Sequence, residues 1–487
     1  MADEQETVVE TLTSDDPIVA KIARIVGAEN VSDTELERIV YSGDPSSLPQ
    51  FHYRWKYKYL VDYVVRVKSI DQVQAIVKIA GDENIPIIPR GGASSCLGSS
   101  SPTRGGISLD TKPMNQVIEI NSSEMYVRVE AGVTFNQLER ELFKHGVTLG
   151  IRPTSARSAV IGGWIGCGGE AGIGTPLHGS LVSNILELKV VKPNGESVNV
   201  TGDDIGLFCG SYGILGVICE AKLRVVKYPS GHTTFSYAFD LLEHTCNAMR
   251  HLSMLEPQPV YLKIADKQFQ SYSNPLEKGN YVLTATYQNE PDPCPTDKIE
   301  AIMADNGGEY LGADYSLKDW YLVEDCEFNP KEHCQTLMFQ EMLVQVDKLY
   351  DLLKSYESYK KSHKTPAIWF AMLGHDGWIR AELMAMLDPE KYLKFIGSKG
   401  ILHKMVGKSV KLGGGPYTIG LQNSVYMKRA FPNRQEKMIV AKDKWDPGGI
   451  MNPDRVTSCL TSYLRMNVLF QLAAGIRRLS KIIDRGE

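Results

Sequence analysis

Hydrophobic and polar positions follow two different patterns along this chain. From Asp62 onward, short apolar runs alternate with amphipathic stretches, which is typical of strands alternating with helices. The pattern predicts strands at 62–67, 85–89, 106–110 and 126–131, and helices at 70–80 and 134–144. Thr134 has the side chain and the position of a helix N-cap. Residues 185–192 and 196–200 predict a hairpin that turns at 193–195.

The pattern changes between about residue 230 and residue 430. Glycine becomes rarer, and amphipathic helices are predicted at 338–356 and 389–395, with strands at 281–287 and 367–373. This region reads as a separate α+β domain. Residues 1–50 predict a short helical lead-in. A helix and a closing turn are expected at 436–458, followed by one amphipathic helix at about 461–484.

Composition narrows the classes of function. The 487 residues suggest two or three domains, and the net charge of -5 comes without the concentrated basic face that nucleic-acid binding needs. The polar N-terminus predicts no signal peptide, and no apolar run reaches membrane-spanning length. The nine cysteines form no CxxC pair, so we expect no zinc or iron–sulfur site, no other metal, and reduced thiols in the cytoplasm.

Glycine is concentrated in three segments that are candidates for ligand binding. PRGGASSCLGSS (89–100) offers consecutive backbone amides with small side chains, which is the chemistry of an anion cradle. No Gly-Lys-Ser/Thr follows it, and no GxGxxG opens a helix after the first strand, so it is neither a Walker nor a Rossmann loop. Taken alone, the segment is equally compatible with a flexible surface loop.

Five segments taken together carry a more specific signal. Their order and gaps resemble the FAD-binding domain of the vanillyl-alcohol oxidase and p-cresol methylhydroxylase superfamily, above all its D-lactate dehydrogenase and glycolate oxidase branch. The segments are PRGGASS (89–95), EAGVTFNQL (130–138), PTS (153–155), VIGGWIGCGGEAGIG (160–174) and GSYGILGVICEAKLRV (210–225). The resemblance covers roughly residues 60–226. WDPGGIMNPDR (445–455) also resembles the closing element of that branch.

The resemblance implies an α+β fold with a two-part, PCMH-type FAD-binding domain and an inserted α+β cap domain. We expect the FAD domain at residues 1–228 and 432–458, the cap at 229–431, and a C-terminal amphipathic helix at 459–487. The cofactor would be non-covalent FAD, because the glycine loop has no histidine for a covalent link.

The resemblance also implies which residues contact FAD, position by position. The pyrophosphate would be wrapped by Pro89, Arg90, Gly91, Gly92, Ala93, Ser94 and Ser95, with Pro153, Thr154 and Ser155 along the pyrophosphate and flavin. The isoalloxazine and phosphates would pack on Gly162, Gly163, Gly166, Gly168 and Gly172, and the adenine and ribose on Gly213, Gly216, Val217 and Ile218. Asn452 would lie near the pyrimidine edge. Arg455, where the family commonly has lysine, would stabilise the negative charge of reduced flavin.

Two signatures of the branch are missing from the cap. Neither the HxGxGNxH motif, which supplies metal ligands and substrate contacts, nor the GEHG element is present. Hydride abstraction from an alcohol needs a base near the flavin. The remaining candidates for catalysis are His375, Tyr417 and Tyr426, with Arg380, Lys428 and Arg429 for an anionic substrate. Ordinary packing or solvation is the alternative for each of them.

Three functions remain open. The first is a dehydrogenase of a small 2-hydroxy acid that passes electrons to a protein acceptor. The second is an electron-transfer subunit beside an iron–sulfur protein of the heterodisulfide-reductase D type, to which the second glycine segment points. The third is a flavin-free scaffold. Three roles also stay open for the predicted C-terminal helix: packing on its own domain, docking of a partner, or contact with a membrane surface.

Three further side chains lie in or near the glycine segments. Cys96 and Cys167 read as small buried thiols rather than reactive ones, because a reactive cysteine needs an electropositive, partly exposed setting. His178 reads as a pocket or surface residue rather than an acid–base group. None of the three is therefore expected to take part in catalysis.

Overall fold

The computed structural model describes residues 16–45, 58–169, 171–323, 329–363, 367–388 and 392–459, together with residues 468 and 472. Its strands form three sheets, of four, six and eight strands. The first two sheets precede residue 228 in the chain, and the third lies between residues 232 and 416. Helices and strands are mixed throughout, which confirms the predicted α+β class.

The first sheet has the strand order β1-β2-β4-β3, with β2 and β3 both parallel to β4. Its strands are β1 (Val31–Ser32), β2 (Tyr63–Arg66), β3 (Ile87–Arg90) and β4 (Ile107–Asp110), accompanied by the helices α1 (Pro17–Val26), α2 (Glu35–Tyr41) and α3 (Ile70–Asp82). Helix α3 begins at the N-cap Ser69 and buries Val73, Ile76, Val77 and Ala80. That spacing puts one apolar stripe against the sheet.

The second sheet is built around its longest strand, β10. Its strands are β5 (Val117–Asn121), β6 (Tyr126–Glu130), β7 (Val147–Leu149), β8 (Ile185–Val191), β9 (Ser197–Val200) and β10 (Val217–Lys227). The helices are α4 (Phe135–Phe143), α5 (Ile161–Cys167), α6 (Thr175–His178), α7 (Leu181–Asn184) and α8 (Ile205–Phe208). The predicted hairpin is confirmed as β8–β9, where Gly195 turns with a φ of +79°.

The third sheet is antiparallel, and we call it and its helices the cap. Its strand order is β14-β11-β13-β12-β16-β17-β15-β18. The strands are β11 (His232–Phe239), β12 (Tyr261–Asp266), β13 (Tyr281–Gln288), β14 (Glu309–Tyr310), β15 (Thr336–Gln345), β16 (Ala367–Leu373), β17 (Trp378–Leu387) and β18 (Gly415–Pro416). The helices are α9 (Leu242–Leu252), α10 (Lys267–Gln270), α11 (Thr296–Asp305), α12 (Ala313–Tyr321), α13 (Leu349–His363) and α14 (Tyr392–Lys411).

After the cap, the chain returns to the first sheet through α15 (Met427–Ala430) and α16 (Pro432–Trp445). The Ile87 amide donates to the Ile450 carbonyl, and the Asn452 amide donates to the Ile87 carbonyl, each over 2.8 Å. The Trp445 ring stacks on Phe208 at 5.7 Å. The segment that was expected to close the fold therefore lies against β3.

One helix prediction is wrong. Residues 338–356 were expected to form a single helix, but they contain the end of strand β15 and the start of helix α13. Strand β15 pairs with β17 on one side and β18 on the other, and its residues 337–344 are all buried. Burial on both faces leaves no polar alternation, and its Leu, Met and Gln residues have good helix propensity. The predicted helix at 461–484 lies outside the described residues, except for Val468 and Leu472.

Candidate active site

A cleft lies between the loops of the first two sheets and the strands of the cap, and its volume, with the opening to solvent included, is about 1240 Å³. We call the first side the glycine wall; it comes mainly from residues 89–100, 153–168 and 212–218. We call the second side the cap wall; it consists of Phe339, Glu341, Arg380, Glu382, Tyr417 and Thr418. Segments far apart in sequence therefore face one cavity.

The first segment of the glycine wall presents bare backbone. Within the described part of the chain, no amide from Gly91 to Ser95 donates a hydrogen bond to another residue. A Cβ on Gly92 would lie 2.2 Å from the Ser158 carbonyl oxygen, and one on Gly91 would lie 2.5 Å from Val160 Cγ2. The loop is packed against residues 158–160 behind it, and its amides are available to an anion such as a phosphate.

The second segment begins with helix α5. A Cβ on Gly162 would lie 2.5 Å from the Ala131 Cβ, so this glycine lets the helix pack closely on the second sheet. A Cβ on Gly166 would meet no protein atom within 4 Å, and Gly166 lines the cleft. The helix ends after Cys167, where Gly168 has a φ of +81°. The glycine run is therefore helical over only part of its length, and Gly166 leaves a side-chain-free face on the cleft.

The cap wall carries a buried Glu–Arg–Glu cluster, which consists of Glu341, Arg380 and Glu382. Glu341 on β15 is paired directly with Glu382 on β17. Two like charges at such a position repel each other. Arg380 lies two residues before Glu382 on β17; its Nη2 is 2.8 Å from Glu341 Oε1 and 2.6 Å from Glu382 Oε2. The three side chains are only 3–9% exposed, so the guanidinium bridges both carboxylates away from bulk water.

Neighbouring groups fix the orientation of this cluster. Arg380 Nη1 donates to Thr154 Oγ1 over 3.0 Å, which links the cap to the glycine wall. The Thr418 hydroxyl donates to Glu341 Oε2. The Arg380 guanidinium also lies 5.1 Å from the centre of the Tyr417 ring, and the Tyr417 hydroxyl donates to the Ala171 carbonyl over 2.9 Å. The cluster is therefore held from both walls.

The structure brings most of the predicted cofactor residues to the cleft. Those that line it are Pro89, Gly91, Gly92, Ala93, Ser94, Ser95, Pro153, Thr154, Ser155, Gly162, Gly163, Gly166, Gly168, Gly213, Gly216, Val217 and Ile218. Two predicted catalytic residues, Arg380 and Tyr417, also line it. Their assigned roles stay predictions, but their positions bring them together at one site.

Four predicted cofactor residues do not line the cleft. Arg90 donates to the Tyr41 and Gly43 carbonyls and lies over the Tyr41 ring. The Gly172 amide donates to Thr175 Oγ1. Asn452 donates to the Tyr212 carbonyl over 2.5 Å, and Arg455 donates to the Gly98 carbonyl over 3.0 Å. These contacts engage the three side chains and the Gly172 amide with protein groups, and none of the four residues belongs to the lining of the cleft.

Two predicted catalytic residues also lie away from the cleft lining. His375 is at the turn between β16 and β17, where its Nε2 is 3.1 Å from Asp376 Oδ2 and its side chain is 39% exposed. Tyr426 is buried in the cap core and donates to the His403 carbonyl over 3.0 Å. The geometry gives neither residue a position from which it contacts a ligand in the cleft.

The Cys96 thiol is buried, the Cys167 thiol is partly buried, and His178 lies outside the cleft lining. Cys96 and Cys167 line the cleft, and burial raises the pKa of the Cys167 thiol to about 11, so it stays protonated at neutral pH. Burial lowers the pKa of His178, whose ring lies against Gly150 and is not among the lining residues. None of the three therefore stands out as an acid–base group.

Sequence reasoning missed the two carboxylates. Glu341 and Glu382 each stand in a long apolar stretch, TLMFQEMLVQ and WIRAELMAML. A charged residue in a buried strand is rare unless it is paired, so each glutamate was a signal of a buried polar site. The wrong helix prediction at 338–356 hid this signal for Glu341, because it placed that residue on an amphipathic surface.

Comparisons with known proteins agree with this geometry. The family described as FAD binding domain matches residues 61–201. The chain is 28% identical to the glycolate oxidase subunit GlcD of Bacillus subtilis over 51% of its own length and 53% of that protein. It is 25% identical to a D-lactate dehydrogenase of Archaeoglobus fulgidus over 81% of its length and 90% of that protein.

The chain therefore carries an FAD-binding domain. Its glycine wall fits FAD, because bare amides and cleft-facing glycines are what a dinucleotide's phosphates and flat ring require. Matches to the first two curated relatives span about half of their length, 53% for the glycolate oxidase subunit and 41% for an alkyldihydroxyacetonephosphate synthase of Dictyostelium discoideum.

Solved structures show the fold of this flavoprotein. A p-cresol methylhydroxylase with bound substrate superposes with a TM-score of 0.74 at 17% identity, over 91% of this chain and 96% of that one. An alkyldihydroxyacetonephosphate synthase gives 0.72 at 20% identity, over 93% and 88%. The predicted PCMH-type fold is therefore confirmed. Within the described residues, no helix has the length and apolarity that a membrane crossing requires.

Proposed function

We propose that this flavoprotein oxidises a small hydroxyl-bearing substrate in the cleft and passes the electrons to a separate protein acceptor. The observation that carries the proposal is that the FAD-compatible glycine wall and the buried Glu–Arg–Glu cluster line one cavity. FAD, when bound, supplies the hydride acceptor. The names of two relatives, a glycolate oxidase subunit and a D-lactate dehydrogenase, make 2-hydroxy acids the first class of compound to test.

The cap wall supplies the acid–base chemistry in this proposal. Loss of hydride from a carbon that bears a hydroxyl requires the hydroxyl proton to leave as well, and a positioned carboxylate is a suitable acceptor. We assign this role to Glu341, which is less deeply buried than Glu382 and lines the cleft. Arg380 and Thr418 each hold one of its carboxylate oxygens and act as positioning residues.

Anaerobic flavin reduction tests the proposal. Purified protein carrying FAD is mixed with glycolate, with either enantiomer of lactate, and with uncharged hydroxy compounds of the same size. Loss of the visible absorbance of oxidised flavin is expected with at least one class, and retention of that absorbance with every compound would reject the proposal. In Glu341→Gln the reduction should slow by about 10²–10⁴-fold with unchanged FAD content, as is typical when a general base is removed.

A matched control separates this effect from a general loss of charge. Glu187 on β8 forms an ion pair with Arg128 over 2.9 Å and is not among the residues lining the cleft. Glu187→Gln should leave flavin reduction unchanged. Equal slowing in both variants would remove Glu341 from the reaction.

A second function, an electron-transfer flavoprotein beside an iron–sulfur subunit, rests on the sequence, in which the cap lacks the HxGxGNxH and GEHG signatures of the hydroxy-acid branch. Co-purification of an iron–sulfur partner, together with flavin that no hydroxy compound reduces, would favour this function over the first.

A further inference from the structure

We infer that the cap wall selects an uncharged hydroxy substrate and disfavours one that bears a carboxylate. The inference rests on the proposed function, because it names the substrate class of the same cleft. Its basis is the set of charged side chains that the fold brings to the cavity.

The charges that line the cleft do not balance. Among the described lining residues, Arg380 is the one cation and Glu341 and Glu382 are the two carboxylates, so with both carboxylates ionised one negative charge is left over. The other lining side chains are apolar, hydroxyl, thiol or indole groups, and many positions are glycine. An anionic substrate would therefore leave water for a cavity whose own charge has the same sign, which is unfavourable at low dielectric.

The guanidinium of Arg380 is already engaged. Its Nη2 contacts both carboxylates, and its Nη1 donates to Thr154 Oγ1. A substrate carboxylate would have to displace a carboxylate that is part of a buried ion pair. Breaking such a pair is costly, because it leaves a buried charge uncompensated.

Other arginines close to the glycine wall are directed at backbone carbonyls. Arg90 donates to the Gly43 carbonyl over 2.8 Å, Arg434 to the Cys209 carbonyl over 2.7 Å, and Arg455 to the Gly98 carbonyl over 3.0 Å. None of the three belongs to the lining of the cleft. These cations support the loops rather than offering a second anchor for an acid.

An uncharged substrate interacts favourably with the same carboxylates. Carboxylates accept hydrogen bonds from hydroxyl and amide groups, and such bonds are stronger when one partner is ionised. Glu341 and Glu382 therefore attract a neutral donor and repel an acid of the same shape. Specificity arises in this way when one element attracts one ligand and repels its competitor.

Matched pairs of compounds test the inference on FAD-loaded protein. Lactate and lactamide, and glycolate and glycolamide, have the same oxidisable carbon and differ in the charge of the neighbouring group. Under anaerobic conditions the amide of each pair should reduce the flavin at a second-order rate roughly tenfold or more above that of the acid. An acid that reduces the flavin as fast as its amide, or faster, would overturn the inference.

Binding of unreactive analogues keeps the test separate from catalysis. Propionate and propionamide carry no hydroxyl, and their binding is followed by the change that they cause in the flavin spectrum. Propionamide should bind more tightly, whereas equal affinities, or no binding of either compound, would overturn the inference. If propionamide is preferred but no hydroxy compound bleaches the flavin, the proposed function fails and the charge selection stands.

Variants assign the selection to the cluster. Glu382→Gln removes one negative charge, so it should strengthen propionate binding by roughly tenfold and should not strengthen propionamide binding. Glu341→Gln should act in the same direction, which covers the case in which one variant fails to fold. Glu187→Gln serves as the control and should change neither affinity. A Glu382→Gln protein that folds, retains FAD and binds propionate no better would overturn the inference.

Discussion

The two walls of the cleft present their chemistry in opposite ways. The glycine wall uses backbone amides and missing side chains, with the amides of Gly91 to Ser95 turned to no described protein acceptor. The cap wall uses long charged side chains on strands buried on both faces. The backbone amides of the glycine wall do not depend on which side chains are present, whereas the charge of the cap wall is set by three individual side chains.

The two walls should therefore respond differently to substitution. A side chain added to the glycine wall occupies volume that is otherwise free, so its main effect should be weaker binding of FAD. A charge removed from the cap wall acts through electrostatics and should affect the stability of the cap and its choice of substrate. Four substitutions, two in the walls and two in the elements behind them, test this difference between the cap side and the glycine side. They are given in order of decreasing expected effect.

Removal of the Arg380 guanidinium should have the largest effect. In Arg380→Met, two carboxylates that are paired across β15 and β17 lose their shared cation, and loss of one member of a buried ion pair typically costs about 3–5 kcal/mol. Denaturant unfolding of the protein should report a decrease of that size.

A triple variant separates the loss of charge from the loss of packing. Arg380→Met combined with Glu341→Gln and Glu382→Gln leaves no unpaired charge in the cluster, so most of the lost stability should return. If the triple variant is as unstable as Arg380→Met alone, the guanidinium contributes through its packing and its bond to Thr154 rather than through charge.

The next effect is expected at the glycine wall. In Gly92→Ala, the new Cβ would lie 2.2 Å from the Ser158 carbonyl oxygen, and the clash is with backbone, which cannot rotate away. The loop must then move, and FAD affinity should fall by roughly hundredfold, or about 2.7 kcal/mol. Flavin fluorescence on titration with FAD measures the change.

Two further glycines control for this result. Gly81→Ala in α3 adds a Cβ that meets no atom within 4 Å and should leave FAD affinity unchanged. Gly166→Leu also meets no protein atom at its Cβ but extends into the cleft, so it should weaken FAD binding without a protein clash. Normal FAD binding by Gly166→Leu would contradict the assignment of the flat face to the cofactor.

The same contrast explains what the sequence could predict. The glycine wall comes from short glycine-rich segments that can be recognised in the sequence, and most of the residues predicted to contact FAD line the cleft, although their roles stay predictions. Helix α4, its cap Thr134 and the β8–β9 hairpin follow from neighbours close in sequence. Such signals are local, and the structure reproduces them.

The cap wall depends on pairing between distant residues. Glu341 and Glu382 are opposite each other because β15 and β17 are antiparallel in one particular register, and β15 also pairs with Pro416 on β18. Neither the register nor the neighbours can be read from TLMFQEMLVQ, whose composition suits a helix. Arg380 was named only as one of three cations available for an anionic substrate, and its partners Glu341 and Glu382 were missed.

The third effect concerns a buried histidine of the cap core. Burial, with a contribution from the nearby Lys399, lowers the pKa of His403 from its ordinary value of 6.5 to about 3. As pH falls below 6.5, the unfolded chain binds a proton that the folded cap does not, so the free energy of unfolding falls until about pH 3 and is unaffected at higher pH. At pH 5 the loss is about 2 kcal/mol, at 1.36 kcal/mol per pKa unit.

Substitution of this histidine should flatten the acid limb of the stability curve. In His403→Gln, unfolding followed between pH 7 and pH 5 should lose about 2 kcal/mol less than in the unaltered protein. The comparison uses the difference between the two pH values, so a constant packing cost of the substitution does not enter. Parallel curves for the two proteins would show that His403 does not control the acid response.

The smallest effect is expected from removal of the N-cap of helix α4, which lies on the same side of the cleft as the glycine wall. The Thr134 side chain accepts a hydrogen bond from the Gln137 amide over 3.3 Å and begins helix α4, which packs Phe135 edge-on against Trp164 of the glycine wall. Thr134→Ala should cost about 1 kcal/mol of stability, and Thr134→Ser, which keeps the hydroxyl, should cost much less. FAD affinity should be unchanged in both variants, because the amides and glycines of the wall do not depend on this cap. A loss of FAD binding in Thr134→Ala but not in Thr134→Ser would show that α4 controls the position of Trp164 and α5. FAD binding would then depend on residues outside the glycine wall.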